Sequence, residues 1–497
     1  MEKNGGEIYQ KQVVVMSDKI IFSVLFFTFF LLFSCNQKKT KKQNINNSTI
    51  NKPNIVLIMT DQHQAKALSI AGNLDVKTPN LDKLAKSGTR FTNAYVTFPL
   101  CSPSRSSIFT GKMPHNIAIN SNNDKTIAAK FKNKNLAHTL KKAGYHTIYG
   151  GKWHAPEVEL PKDTGFEKIA EFGDIPLAEK SINYLKSRKN KTQPFFLVAS
   201  FDNPHNICEY ARSQPLPYGN IPQVSLDKTP ELPINFEQST TFPEALQIEQ
   251  IANKKVYPTQ NFTKEDWRKY RYTYYQLVEK VDTEIGKIID AINDLGLRDN
   301  TIIIFTSDHG DGNASHGWNQ KTALFQESIN VPFIVNYLAK NSSEEKINTS
   351  LISNGLDIFP TILDFAGVKI PNDLLGKSIK PIIENKQQNL DRDFVITETK
   401  FEGKQAYGTT GRAVIGKKFK YVLYSWGKNR EQFFDLENDA LEMHNLVAST
   451  KHQTELDNYR QILMDWCTKT NDTKFLKKIM LPSNSKKTSN ELFYKPY

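Results

Sequence analysis

Asn54-Ile-Val-Leu-Ile-Met-Thr-Asp61 and Thr301-Ile-Ile-Ile-Phe-Thr-Ser-Asp308 share one construction: an apolar, β-branched run that ends on an acid. Such runs are too continuously apolar for a strand with one wet face, so they read as parallel strands buried on both faces. Residues 146–150, 194–201 and 331–337 read the same way. Helical patterns lie between them. One runs from the cap Thr78-Pro79 to Gly88, one covers 136–143 before Gly144, and a long one covers 264–295 before Gly296. The alternation predicts an α/β fold: a large, mostly parallel sheet covered by helices on both faces, over residues 54–388. In such sheets reactive groups gather beyond the carboxyl ends of the strands. Asp61, Asp308 and His205 are expected to converge there. From about Asn389 the texture changes to short strands (394–398, 412–415, 418–424), the segment 432–445 and a helix over 453–468. This predicts a small antiparallel sheet-and-helix subdomain, 389–497.

Between the two acid-tipped strands stands Cys101-Ser-Pro-Ser-Arg105, at the mouth of a helix predicted over 106–110 and stopped by Gly111. A cysteine there suits a core position, a thiol nucleophile or a redox site. The full run, continued by Thr110-Gly111 and Pro114-His115, resembles the signature of the type I (formylglycine-dependent) sulfatases of the alkaline phosphatase superfamily. The segments Gly-Gly-Lys-Trp-His (150–154), Asn-Pro-His (203–205), His-Gly-Trp-Asn-Gln-Lys (316–321) and Phe-Asp-Leu-Glu-Asn-Asp (434–439) follow in that family's order.

The resemblance implies a sulfatase in which Cys101 is oxidised to formylglycine by a maturation enzyme. The hydrated aldehyde is then the nucleophile, through a sulfated-enzyme intermediate. It implies a metal held by Asp61, Gln62, Cys101, Asp308 and His309, with Arg105 holding the hydrate. Lys152 and Lys321 would face sulfate, His154 would act as base for the hydrate or for hemiacetal collapse, and His205 would meet sulfate and the leaving oxygen. His115 is expected to support its loop. Gln62 and His309 stand where many sulfatases carry Asp and Asn, as in choline-sulfatase-like and phosphonate-monoesterase-like members. Calcium is the first expectation, with magnesium or manganese admitted by the nitrogen ligand. His63, Gln64, Arg212, Trp318 and Asn319 are candidates for the sugar pocket. The alternatives are a phosphonate or phosphate ester hydrolase of the same fold and an inactive sulfated-glycan-binding lipoprotein.

The chain's charge fits an anionic substrate. Its net charge is +13; residues 1–34 cancel and five lysines fall in 36–54, leaving about +8 on the folded body. No helix-turn-helix, zinc-finger or RNA-binding pattern accompanies that charge, so nucleic acid is not expected as a partner. Residues 20–33 (IIFSVLFFTFFLLF) are short for a membrane span and suited to the core of a signal peptide over 1–34, with Met16 as an alternative start. Leu32-Phe33-Ser34-Cys35 resembles a bacterial lipoprotein cleavage box. Cys35 is then the lipidated residue, 35–53 a polar tether, and the membrane is contacted through the lipid anchor alone. That places the protein outside the cytoplasm, in the periplasm or at the cell surface. Cys208 and Cys467 remain, and whether they pair is left open.

Overall fold

The strand Asn54–Asp61 is central because both of its neighbours are as apolar as it is. In the computed structural model it pairs in parallel with Phe195–Pro204 on one side and Thr301–Ser307 on the other, with Ile55 opposite Phe196 and Ile302. Ile55, Leu57 and Met59 point to one face, where the helices Cys101–Thr110, Leu136–Lys142 and Asn354–Phe365 cover them. Val56 and Ile58 point to the other, beneath Pro79–Lys86, Leu177–Arg188 and Lys264–Asp294. All five are fully buried, which is why the strand carries no polar alternation. The described residues are 52–479, except 132, 158, 253–257, 338–344 and 403–407. The expected signal segment, Cys35 and nearly all of the tether therefore lie outside them.

The sheet has eight strands. Their order is Glu167–Ala170, His146–Gly151, Phe195–Pro204, Asn54–Asp61, Thr301–Ser307, Phe333–Asn336, Thr89–Phe91 and Lys346–Asn348. Phe333–Asn336 was expected to be parallel and is antiparallel to both neighbours. The reason lies in its connection. After Ser307 the chain stays at the carboxyl edge through residues 308–332, with no crossover helix to return it to the other edge.

The helix Cys101–Thr110 also starts earlier than expected, at Cys101 itself. All ten of its residues are buried. Its serines let it lie close against Asn354–Phe365, and Gly355 is needed there. A Cβ on Gly355 would stand 2.7 Å from Thr97 Oγ1 and 3.0 Å from Ser107 Cβ. The helix ends at Gly111 with φ 64°, a left-handed cap.

The C-terminal sheet is antiparallel, Phe394–Lys400, Thr410–Gly416, Phe419–Tyr424 and Glu431–Asp435 in order. One face packs on Gln453–Thr470 through Leu456, Leu463 and Cys467. The other packs against Trp318, Leu324 and Phe325. It thus props the long loop after Ser307 that carries His309 and Lys321. Cys101, Cys208 and Cys467 are free and buried, so Cys208 and Cys467 do not pair. Among the described residues no helix is long and apolar enough to cross a membrane.

Candidate active site

Four strand ends and one helix start deliver the site. Asp61 ends its strand, Asp308 follows Ser307, Lys152 follows Gly151, Asp202 lies near the end of Phe195–Pro204, and Cys101 opens its helix. Gly151, with φ 86°, permits the close crossing: a Cβ there would lie 2.1 Å from Ser200 O. Lys152 N then donates to that carbonyl at 2.9 Å.

Cys101 Sγ is the point of convergence. It lies 3.2 Å from His309 Nε2, 3.2 Å from Lys321 Nζ and 3.6 Å from Asp61 Oδ1. Arg105, one turn along the same helix, was expected to hold the group at 101. Four of its five N–H donors go to other partners. Nε donates to Asp308 Oδ2 at 2.6 Å, Nη2 to Asp61 Oδ2 at 3.0 Å, and Nη1 to Lys152 O and Ser200 Oγ, both at 2.8 Å. Its planar fork fixes the two carboxylates relative to each other. Ser104 Oγ adds a bond to Asp308 O at 2.6 Å.

The ligand atoms of Asp61, Cys101, Asp308 and His309 all lie within 4.8 Å of one another, so this donor set fits one divalent cation. His309 is oriented for it: Nδ1 bonds Gly310 O at 2.9 Å, which leaves the Nε2 lone pair facing Cys101 and the carboxylates. Gln62 is turned differently from the expected ligand. Its Nε2 donates to Asp311 Oδ2 at 2.6 Å, its Oε1 lies 3.7 Å from Cys208 Sγ, and its backbone N–H donates to Asp308 Oδ1 at 3.2 Å.

The two acids shift oppositely. Burial raises Asp61, but Lys152, His205 and Arg105 outweigh it and hold the carboxyl well below the usual range. For Asp308 burial wins over Arg105 and pushes the group up to about 7. For Cys101, burial and Asp61 oppose the thiolate, yet Lys321, His309 and Lys152 bring it well below the ordinary thiol value. His205 lies in the same field, its pKa lowered by burial, Lys152 and Lys321.

The remaining candidates are distributed differently. His154 is half-buried in the loop after Gly151, with a left-handed backbone, φ 47°, and no described hydrogen bond to the cluster. His63 is not in a sugar pocket. It is fully buried against Phe305, its Nε2 meets Ala67 O at 2.9 Å, and burial lowers its pKa to about 4. Trp318 is also interior, its Nε1 donating to Lys321 O at 3.2 Å, where it braces the backbone of Lys321. Gln64 lines a cavity of about 200 Å³ with Tyr95, Glu327 and Lys417, at the edge of the C-terminal sheet. Arg212 is partly exposed and pairs with Glu209 at 3.2 Å. Asn319 is buried with both side-chain amide atoms unsatisfied. Asp202, Asp311 and Ser200 were missed by sequence reasoning. For Asp202 a signal existed: like Asp61, it is an acid at the carboxyl end of an apolar strand.

Comparison with known proteins places this geometry. Residues 53–175 and 161–368 match the family model described as Sulfatase. Residues 314–468 match the model described as N-sulphoglucosamine sulphohydrolase, C-terminal. The chain is 28% identical over 448 residues to the Delta 4,5-hexuronate-2-O-sulfatase of Bacteroides thetaiotaomicron, covering 85% of this chain and 90% of that one. It is 29% identical over 487 residues to the ulvan-active sulfatase of Formosa agariphila, covering 90% and 88%. The solved structure of a 2-O GAG sulfatase superposes with a TM-score of 0.76 at 27% identity, covering 85% of this chain and 93% of that one. With the family match spanning well over half of its length and the site groups gathered around Cys101, this chain belongs to the sulfatase family and is a sulfuric ester hydrolase.

Proposed function

We propose that this sulfatase removes sulfate from sulfated, uronate-containing polysaccharides or their oligosaccharides. The reading of the chemistry is carried by one observation: a lysine, a histidine and an acid converge on Cys101 Sγ at 3.2, 3.2 and 3.6 Å. That sulfur marks the position of the formylglycine side chain in the matured enzyme. When bound, the matured residue supplies the nucleophilic oxygen and a divalent cation, calcium first, supplies charge to the sulfuryl oxygens.

The chain's own groups have separable tasks. Lys321 and Lys152 bind the sulfuryl oxygens, where charge-assisted contacts in a closed site count most. Arg105 holds Asp61 and Asp308 in place for the cation. His205, kept neutral by its surroundings, is suited to exchange a proton at the leaving oxygen. His154, half-buried in the loop after Gly151, is the candidate base for the hydrate. The substrate class is supported by the printed activities of the hexuronate and ulvan relatives and by the basic body. Export through residues 1–34, lipidation at Cys35 and maturation of Cys101 by a formylglycine-generating enzyme complete the proposal.

The test is parallel turnover of an aryl sulfate, an aryl phosphonate monoester and a panel of sulfated glycan oligosaccharides by the purified, matured protein. Release of sulfate from uronate-containing oligosaccharides supports the reading. Preference for the phosphonate, or binding of the glycans without turnover, would overturn it in favour of the phosphonate hydrolase or the binding protein.

A further inference from the structure

Lys152 is held between two carboxylates that have different jobs. Its Nζ lies 2.9 Å from Asp61 Oδ2 and 2.8 Å from Asp202 Oδ1. Asp61 belongs to the donor set for the cation. Asp202 does not, and its side chain is anchored from the other side. Its Oδ2 accepts from Asn206 Nδ2 at 2.7 Å and from Tyr218 OH at 3.4 Å.

The backbone beneath it is pinned as well. Asp202 N donates to Asp174 Oδ1 at 2.6 Å, Asn203 N donates to Asp174 Oδ2 at 3.0 Å, and His205 N donates to Asp202 O at 3.0 Å. Asp202, Asn203, Asn206 and Lys152 are each no more than 4% exposed, and the Phe172 ring stands 5.7 Å from the ammonium.

A lysine is a point charge on a flexible stem with three donors. With Asp61 as its sole partner, the ammonium would settle on that carboxylate and compete with the cation for it. A second, anchored carboxylate changes this. The ammonium donates an N–H to Asp202 at 2.8 Å and stands in ion-pair contact with Asp61 at 2.9 Å, so it is drawn part of the way off Asp61 and keeps a donor for substrate.

We propose that Asp202 is a positioning residue: it fixes the Lys152 ammonium beside Cys101 and keeps it from occupying Asp61 at the cation's expense. The inference rests on Lys152 facing sulfate, and a double-mutant cycle separates the two claims. Asp202→Asn should lower kcat/KM on an aryl sulfate about 10- to 100-fold, the range for groups that orient a metal site's ligands. Asp202→Glu should recover part of that loss. In a Lys152→Ala background, Asp202→Asn should cost less than about 2-fold, because the residue it acts through is gone.

Calcium titrated calorimetrically into metal-stripped protein gives a second readout. Asp202→Asn should bind a few-fold more weakly than wild type, and the difference should vanish on Lys152→Ala. Tyr218→Phe, which removes one anchor of Asp202, should show a smaller effect of the same sign. It serves the cycle if Asp202→Asn lowers the melting temperature. A penalty that persists in full on Lys152→Ala, or an unchanged calcium affinity, would overturn the proposal. Loss-free Lys152→Ala would refute the role of Lys152 itself.

Discussion

Two buried ionic clusters in this chain use the same ingredients and differ in what they face. The first is the site around Cys101. The second joins His115, just past the helix that opens on Cys101, to the C-terminal sheet and helices. There Arg412 pairs with Asp472 at 2.7 Å and with Glu398 at 3.7 Å, while His115 Nδ1 bonds Glu398 and Nε2 meets Thr470 O at 3.1 Å. In both, acid and imidazole or thiol atoms gather within ligating distance. In the second the cation is built in: Arg412 sits among the acids and neutralises them. In the first, Arg105 and Lys152 also pair with the acids, but Lys321 and His309 turn to one sulfur at 3.2 Å each, and the two carboxyls are driven to opposite shifts. Proximity of ligand atoms therefore does not identify a reactive centre. Convergence of unlike charges on a single nucleophilic atom does. The second cluster ties the lower end of the Cys101 segment to the sheet that props Lys321.

The contrast predicts where mutations register as lost chemistry and where as lost stability. Cys101→Ala should lower sulfate release at least about 10⁴-fold with an unchanged melting temperature, since it removes the nucleophile itself. Chelation should abolish turnover. Asp61→Asn and Asp308→Asn should each weaken metal affinity and lower kcat/KM by about 100-fold or more, a full charge being lost from the ion. Normal turnover of metal-free protein would contradict that. Lys321→Ala should cost roughly 30- to 1000-fold in kcat/KM, or about 2–4 kcal/mol of transition-state stabilisation. A near-wild-type value would show that sulfate is held without it.

Glu398→Gln belongs to the other class. It should destabilise the fold by about 3 kcal/mol, the cost of breaking a buried pair, and leave kcat/KM of the folded enzyme within about 2-fold. The smallest effect is a pH dependence. Burial lowers the pKa of His115, but Glu398 outweighs it and the net value is above 6.5. Its stabilisation is therefore complete below pH 6.5 and lost as pH rises through the raised folded value. Glu398 is shifted the other way, with burial outweighed by Arg412 and His115, so its contribution is present above pH 4.5 and lost as pH falls through its lowered value. Melting temperature should decline on the alkaline side, and His115→Gln should flatten that decline. An unchanged slope would detach His115 from the cluster's stability.

Much of this was legible in the chain because local rules governed it. Continuous apolar runs marked the central strands, and acids at their ends marked Asp61 and Asp308. The Cys-x-Pro-Ser-Arg run identified Cys101, and Gly88, Gly111, Gly144 and Gly296 marked helix ends. What failed depended on distant contacts. The direction of Phe333–Asn336 follows from a connection that never leaves the site edge. Arg105 faces the carboxylates because Asp61 and Asp308, 44 and 203 residues away, both reach it. His63 and Trp318 are polar or amphipathic groups absorbed by the interior, a fate set by Ala67 O and Lys321 O rather than by local pattern. Asp202 carried the same strand-end signal as Asp61, but its pairing with Lys152, 50 residues away, was not legible in the chain.

The mass of the peptide containing residue 101 tests the central claim most directly, in protein produced with a formylglycine-generating enzyme. The account predicts a peptide about 18 Da lighter than the unmodified thiol form, the thiol having been replaced by an aldehyde, in the fraction that releases sulfate. A fully active preparation in which Cys101 carries the unmodified thiol mass would contradict it.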